Sequence, residues 1–372
     1  MGGIRLQRGS ILSSFMLSSR YWVGGALYIS APILDDLLRK VYKKLLNKKL
    51  LNSVNHVEAT KGFNVEINGV LLSLENPRAR LSRTERKGTL FSCLGELLWY
   101  LSGTNELAFI SYYISRYKDM SDDQKTIHGG YGPRIFGSGT DDQVIRVIET
   151  LKVRPGSRQA VIQIFSAADT LKKYKDIPCT CTMQFFVRGK FLHMMTHMRS
   201  NDAFLGLPHD IFAFTMLQEI IARSLGLELG QYKHSVGSLH LYDEHRKDAE
   251  DYISEGWQEK YPMPAMPQCD PWSSIRLLLD AEQDIRLGRN MGLDLSIIDP
   301  YWADIIRILQ VFNYTKDLNR FSLIKPLKDI MSSKIYSMYF DKIEALQFAR
   351  LSREPKPEQL DLLAPLQEQV GN

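Results

Sequence analysis

The chain has 372 residues, 44% hydrophobic and 24% charged, which fits a globular enzyme built as one large domain or as a domain with an addition. Its formal net charge of +5 suits an anionic small substrate, and no basic run with interleaved aromatics marks a nucleic-acid groove. Cys93, Cys179, Cys181 and Cys269 are too scattered for a disulfide framework, and without a second Cys/His pair at ligand spacing no metal site is expected.

Residues 1–34 hold no Asp or Glu but include Arg5, Arg8, Arg20 and several serines. That is the composition of an organelle transit peptide. The plainer reading, adopted here, is a poorly ordered extension over 1–32 on a cytoplasmic protein, with Met16 as another candidate start. No apolar run reaches the roughly 18 residues of a membrane span, so no membrane partner is expected.

In chain order the pattern is mixed α and β. Leu34 to Leu51 has helical apolar spacing with Asp35 and Asp36 near its start. Phe63 to Leu74 alternates as a strand. Gly88 to Leu101 reads as an apolar helix carrying one carboxylate, Glu96, and Asp141 to Lys152 as another helix. Arg158 to Phe165, Thr180 to Val187 and Phe191 to Arg199 read as strands, the last two joined by a tight Arg188-Gly189 turn. Leu207 to Leu225 is a long helix, followed after Gly230 by a strand through His240. From about residue 260 a proline-punctuated linker leads to helical runs over Ser273–Leu287, Tyr301–Phe312 and Ile330–Leu351. This gives a catalytic domain over 33–265 and a helical appendage over 266–372.

The residues that could do chemistry are individually weak signals. A lone cysteine such as Cys179 is most often a small buried hydrophobe. A reactive one needs a positive charge beside it, and a hairpin could bring Arg199 there. Glu96 lies in an almost wholly apolar helix, which favours burial, a raised pKa and proton transfer. Asp202 and Asp210 flank a turn, and either could merely cap it. His240 and Tyr242 alternate along a strand and so face one side.

Taken in order, these segments resemble the thymidylate synthase and deoxycytidylate hydroxymethylase superfamily. The matching elements are GELLWYLSGTN with Glu96, GGYGPR with Tyr131, SRQAV with Arg158, IPC with Cys179, RSNDAFLGLP with Arg199, Ser200 and Asp202, the PHDI turn, and HLY with His240 and Tyr242. The resemblance spans about residues 33 to 265. It implies a large twisted mixed sheet packed by helices around a central apolar helix. It also implies 5,10-methylenetetrahydrofolate, a pyrimidine nucleoside monophosphate and a homodimer.

By that resemblance Cys179 adds as thiolate to C6 of the pyrimidine and makes C5 nucleophilic. Arg199 lowers the thiol pKa and meets the phosphate with Ser200 and with Arg158 of the partner subunit. Glu96 organises protons and water near base and folate, Asp202 holds the pterin, His240 and Tyr242 bind the sugar hydroxyl, and Tyr131 lines the pocket by the thiol. The second of two adjacent arginines usual in the family is Gln159 here. Arg78, Arg80, Arg83 and Arg86 are candidates to replace its charge.

The departures concern the substrate. The family's uracil-reading asparagine falls at Asp210. A carboxyl can accept from the cytosine amino group and, when protonated, donate to N3, whereas an ionised one would face uracil O4 with no proton between. Thr180 follows the cysteine where synthases have histidine. No tryptophan lies between Trp99 and Trp257, with Tyr117 near the expected place, and the chain ends LAPLQEQVGN without the apolar tail that closes over folate. The expected reaction is therefore hydroxymethylation of a cytidylate, dCMP or CMP. The alternatives are thymidylate synthesis from dUMP and a non-catalytic binding module.

Overall fold

The computed structural model describes residues 27–48, 56–59, 62–84, 89–137 and 141–351. Arg86, the transit-peptide question at the N-terminus and the C-terminal tail lie outside these residues.

The last residues of the expected extension belong to the fold. Strand β1 (Leu27–Ala31) pairs in parallel with β3 (Gly62–Leu74), and its alternation buries Ile29 and Ala31. Helix α1 (Leu34–Leu45) follows at once, with Leu34, Leu37, Leu38, Val41, Tyr42 and Leu45 forming one buried stripe. Strand β2 (His56–Ala59) lies antiparallel against the start of β3.

Helix α2 (Leu90–Leu101) is buried on nearly every side, as its sequence requires. Three short helices were not expected: α3 (Leu107–Tyr113), α4 (Tyr117–Met120) and α5 (Gly132–Phe136). They are too brief for a 3.6-residue period to stand out. The α2–α3 crossing depends on Gly95, where an added Cβ would lie 2.1 Å from the Tyr113 ring. Helix α6 (Gln143–Val153) is capped by Asp142, whose side chain accepts from the Ile145 amide. Strand β4 (Val161–Gln163) is shorter than its apolar run suggested, being an edge strand with one neighbour.

Strands β5 (Thr180–Arg188) and β6 (Phe191–Asp202) form the expected hairpin from the expected starts, with the turn one residue later, Gly189 at φ 58° in it, and β6 running on past Arg199 to Asp202. Helix α7 (Leu207–Ser224) and strand β7 (Glu228–Tyr242) follow. The sheet runs β1-β3-β7-β6-β5-β4, parallel at β1/β3 and β6/β7 and antiparallel elsewhere.

After α8 (Arg246–Ser254) the proline-punctuated segment is pinned rather than loose. The Met263 amide donates to the Arg78 carbonyl (2.9 Å) and the Met266 amide to Glu219 Oε1 (3.0 Å). Helices α9 (Trp272–Arg286), α10 (Pro300–Tyr314), α11 (Ile324–Asp329) and α12 (Ser337–Leu351) complete the described residues. The run expected as one helix from Ile330 begins only at Ser337. The amides of Ser332 and Ser333 instead donate to the Asp304 carboxylate at 3.0 and 2.9 Å, which draws the backbone out of helical pairing. These helices share their core with α2: Phe91 stacks on Phe312 and Phe340, and Tyr113 donates to Glu282 at 2.8 Å.

Candidate active site

One cleft of about 500 Å³ gathers almost every residue that the motifs singled out. Cys179, Arg199, Ser200, Asp202, Asp210, Glu96, Tyr131, His240 and Tyr242 all line it. The sheet explains the convergence. Pairing of β6 with both β5 and β7 sets Ser200 opposite Ser238 and Asp202 opposite His240, while the Arg199 amide donates to the Cys179 carbonyl at 2.9 Å.

Cys179 is half-buried at the entry to β5 and held from both sides. Arg199 Nε donates to the Pro178 carbonyl and Nη2 to the Ile177 carbonyl, both at 3.0 Å. The Tyr131 hydroxyl accepts from the Thr180 amide (3.2 Å) and meets the Thr180 hydroxyl (3.0 Å), while its ring stacks on Tyr100. A bulge between Thr180 and Thr182 breaks the ladder just after the cysteine, the kind of irregularity that re-aims a side chain. Arg199 keeps guanidinium N–H groups beyond the two used here, since the group carries five.

The carboxyl groups divide by environment. Glu96 is buried in α2 and accepts from the Tyr117 hydroxyl at 2.7 Å. Burial raises its pKa, against hydrogen bonds from Tyr117 and Tyr100 that lower it. Asp210, in the first turn of α7, is pushed well above the carboxylate range, by burial first and by the Glu96 charge second. Asp202 Oδ1 accepts from the amides of Phe204 (2.8 Å) and Leu205 (3.0 Å), so it does cap the turn before α7. A carboxylate has about four acceptor sites, which leaves Oδ2 for another partner.

The arginine candidates for the phosphate stand apart from this cleft. Among the phosphate candidates Arg80 is turned into the core, 1% exposed, and paired there with Glu219. Arg78 donates to the Met263 carbonyl (3.3 Å), and Arg83 lies over the Tyr261 ring near Glu259. None of the three lines the cleft, because the segment that carries them runs against the proline-punctuated stretch and α7. Arg158 is exposed and also outside the cleft of its own chain. Motif reading passed over Asn201, Arg116, Glu66 and His209, which line the same cleft. Asn201 lay inside the RSND block, but nothing in the spacing said that its amide would turn inward.

The cleft's composition fits a reduced pterin beside a nucleotide. The Trp99 indole N–H is buried with no hydrogen-bond partner among the described residues, and the ring borders the cleft with Tyr100 and Tyr117. An orphaned buried donor next to aromatic faces and the spare oxygen of Asp202 is suited to a flat heterocycle with ring N–H and carbonyl groups. Among the described residues no cluster of ligating side chains could hold a metal ion, and no helix is long and apolar enough to cross a membrane.

Comparison with known proteins bears on the family and the fold. The family model described as thymidylate synthase matches residues 40–275. Among solved structures, the thymidylate synthase from T4 phage superposes with a TM-score of 0.52 at 22% identity, covering 65% of this chain and 90% of its own. The thermostable thymidylate synthase A from Bacillus subtilis gives 0.51 at 23% identity, covering 61% and 86%. At such identities the structural likeness speaks for the fold.

Proposed function

The chain belongs to the thymidylate synthase family, and from that premise we propose that it is a cytidylate hydroxymethylase, adding a one-carbon unit from methylenetetrahydrofolate to C5 of dCMP or CMP. The observation that carries this reading is Asp210: a carboxyl on the cleft wall, buried and favouring its neutral form, where an asparagine would read uracil. A neutral carboxyl has one donor and one acceptor, the complement of cytosine N3 and its 4-amino group. Against uracil the same group sets donor against N3–H and acceptor against O4, and a buried mismatch of that kind discriminates strongly.

The residues divide the work accordingly. The Cys179 thiolate forms the bond to C6, and the pair of electrons displaced from the C5–C6 double bond makes C5 a nucleophile. Arg199 holds the 177–179 backbone in place beside the thiol. Its remaining N–H groups and Ser200 receive the phosphate, and His240 and Tyr242 receive the sugar. Tyr131 anchors the amide that follows the cysteine. Glu96, with a raised pKa and a tyrosine hydroxyl on one oxygen, is placed to pass protons between base and water. Asp202 and the aromatic wall of Trp99, Tyr100 and Tyr117 would hold the folate, which would supply one carbon at the oxidation level of formaldehyde when bound.

Dimerisation is part of the reading. Arg158 is exposed outside its own cleft, as a residue serving the partner subunit would be. Tyr28, Val161 and Phe191 leave exposed apolar groups on strands whose neighbouring residues Ile29, Ile162 and Leu192 are buried. An open sheet face that carries such groups among polar ones suits a second copy.

The alternative within the family is thymidylate synthesis from dUMP, the activity for which both solved neighbours are named. Incubation with methylenetetrahydrofolate and dCMP, CMP or dUMP, followed by mass analysis, separates the two. A hydroxymethyl product from a cytidylate is expected, with tetrahydrofolate as the other product. A methyl product from dUMP with release of dihydrofolate would overturn the proposal.

A further inference from the structure

Behind Asp210 runs a line of buried side chains with no assigned role in the reaction. Asn201 Nδ2 donates to Asp210 Oδ2 at 2.8 Å. Asn201 Oδ1 lies 2.9 Å from His234 Nε2, and His234 Nδ1 lies 2.7 Å from the Tyr232 hydroxyl. Tyr232 and His234 are fully buried and Asn201 is 3% exposed. The line crosses from β7 to β6 and ends on α7, so three elements meet at one carboxyl. Gly206 leaves it room: a Cβ there would come 3.1 Å from the Asn201 amide nitrogen.

The hydrogens in this line have one consistent direction. Burial lowers the His234 pKa to about 3, so the ring is neutral and carries a single N–H. With its amide nitrogen on Asp210, Asn201 turns its carbonyl to Nε2, which must then be the protonated nitrogen. Nδ1 is left to accept from the Tyr232 hydroxyl. Each donor therefore points along the chain toward Asp210.

We propose that Tyr232, His234 and Asn201 form a positioning relay that commits Oδ2 of Asp210 as an acceptor, so that the proton of its neutral form resides on Oδ1 and meets cytosine N3. A carboxyl that already receives an N–H on one oxygen holds its proton on the other, because two donors cannot face each other at hydrogen-bond distance. Oδ2 retains a second lone pair for the 4-amino group. Without the relay, Asp210 could turn or ionise, and the distinction between the two bases would weaken. This inference rests on the cytidylate reading and deepens it: Asn201, His234 and Tyr232 become determinants of base choice that act through Asp210.

The test is a double-mutant cycle on binding, read by calorimetry with dCMP, CMP and dUMP. Wild type, Asn201→Ala, Asp210→Ala and the double variant are compared. Asn201→Ala should lower the ratio of cytidylate to uridylate affinity by about tenfold or more. In the Asp210→Ala background the same change should leave the ratio unaltered. An equal loss in both backgrounds would make Asn201 a structural residue only, and no loss in either would remove the relay altogether. His234→Leu removes the donor to Asn201 and should lower the ratio in the same direction, which preserves the test if Asn201→Ala does not fold. Wild-type preference for dUMP would overturn the substrate reading and the relay together. A wild-type cytidylate preference untouched by these variants would overturn the relay alone.

Discussion

Cys179 is an ordinary residue in an unusual frame. Its thiol borders a cleft, its carbonyl is tied to Arg199, and the two preceding carbonyls receive the Arg199 guanidinium. Cys179→Ser should retain the fold, because the site is half-open, while turnover drops at least about a thousandfold as the nucleophile weakens. Comparing melting temperature with kcat distinguishes this from a structural defect. Asp210 yields a second prediction, with a definite sign. Burial and the Glu96 charge raise its folded pKa above that of the unfolded chain. Its contribution to stability is therefore full below the ordinary carboxylate value and is lost as pH rises through the raised one. Asp210→Asn cannot ionise, so its melting temperature should match wild type in acid and exceed it as the pH rises. Its base preference should move toward uracil. A parallel pair of melting curves across the pH range would sink the neutral-carboxyl argument.

At the scale of elements, β6 organises the site. It pairs with β5 on one side and β7 on the other, so its end brings Arg199, Ser200 and Asp202 beside Cys179 and His240. The arginine run after β3 shows the opposite outcome. From its sequence, Arg80 was a phosphate candidate, but in the fold it meets Glu219 of α7 with neither side chain exposed. Such a pair contributes little net stability when intact, yet leaves an uncompensated charge when one partner goes. Arg80→Ala should therefore cost about 3–5 kcal/mol in denaturant unfolding. The phosphate-dependent KM of the folded fraction should not change. A raised KM with unchanged stability would return Arg80 to the site.

At the scale of the molecule, the question is how two copies would share a cleft. If Arg158 serves the partner subunit, an inactive Arg158→Ala chain mixed with an inactive Cys179→Ala chain should regain activity. Each heterodimer then has one complete site, so a random mixture should recover roughly a quarter of wild-type activity. No recovery after verified subunit exchange would place Arg158 in its own chain's chemistry or in none. The C-terminal helices belong to the same scale. Phe312 and Phe340 stack on Phe91 of α2, the helix that carries Glu96, so these helices support the wall from which Glu96 and Trp99 face the cleft.

The local order of residues was enough to specify the family, the long helices, the β5–β6 hairpin and the group that became the cleft. Periodicity, a glycine turn and a dense motif are all short-range properties of a chain. The apolar surroundings of Glu96 already implied its burial, and Asp210 already raised the question of the base. Other features depended on contacts between segments far apart in sequence. The pairing of Arg80 with Glu219 spans 139 positions, and the Asp304 carboxylate interrupts the expected final helix from 28 and 29 positions away. β1 reads as part of an extension until β3 lies beside it. Asn201 is one letter in a motif until β7 brings His234 behind it at 2.9 Å. Hydrogen bonds and ion pairs act over a few ångströms, so only the folded chain decides which residues are close enough to form them.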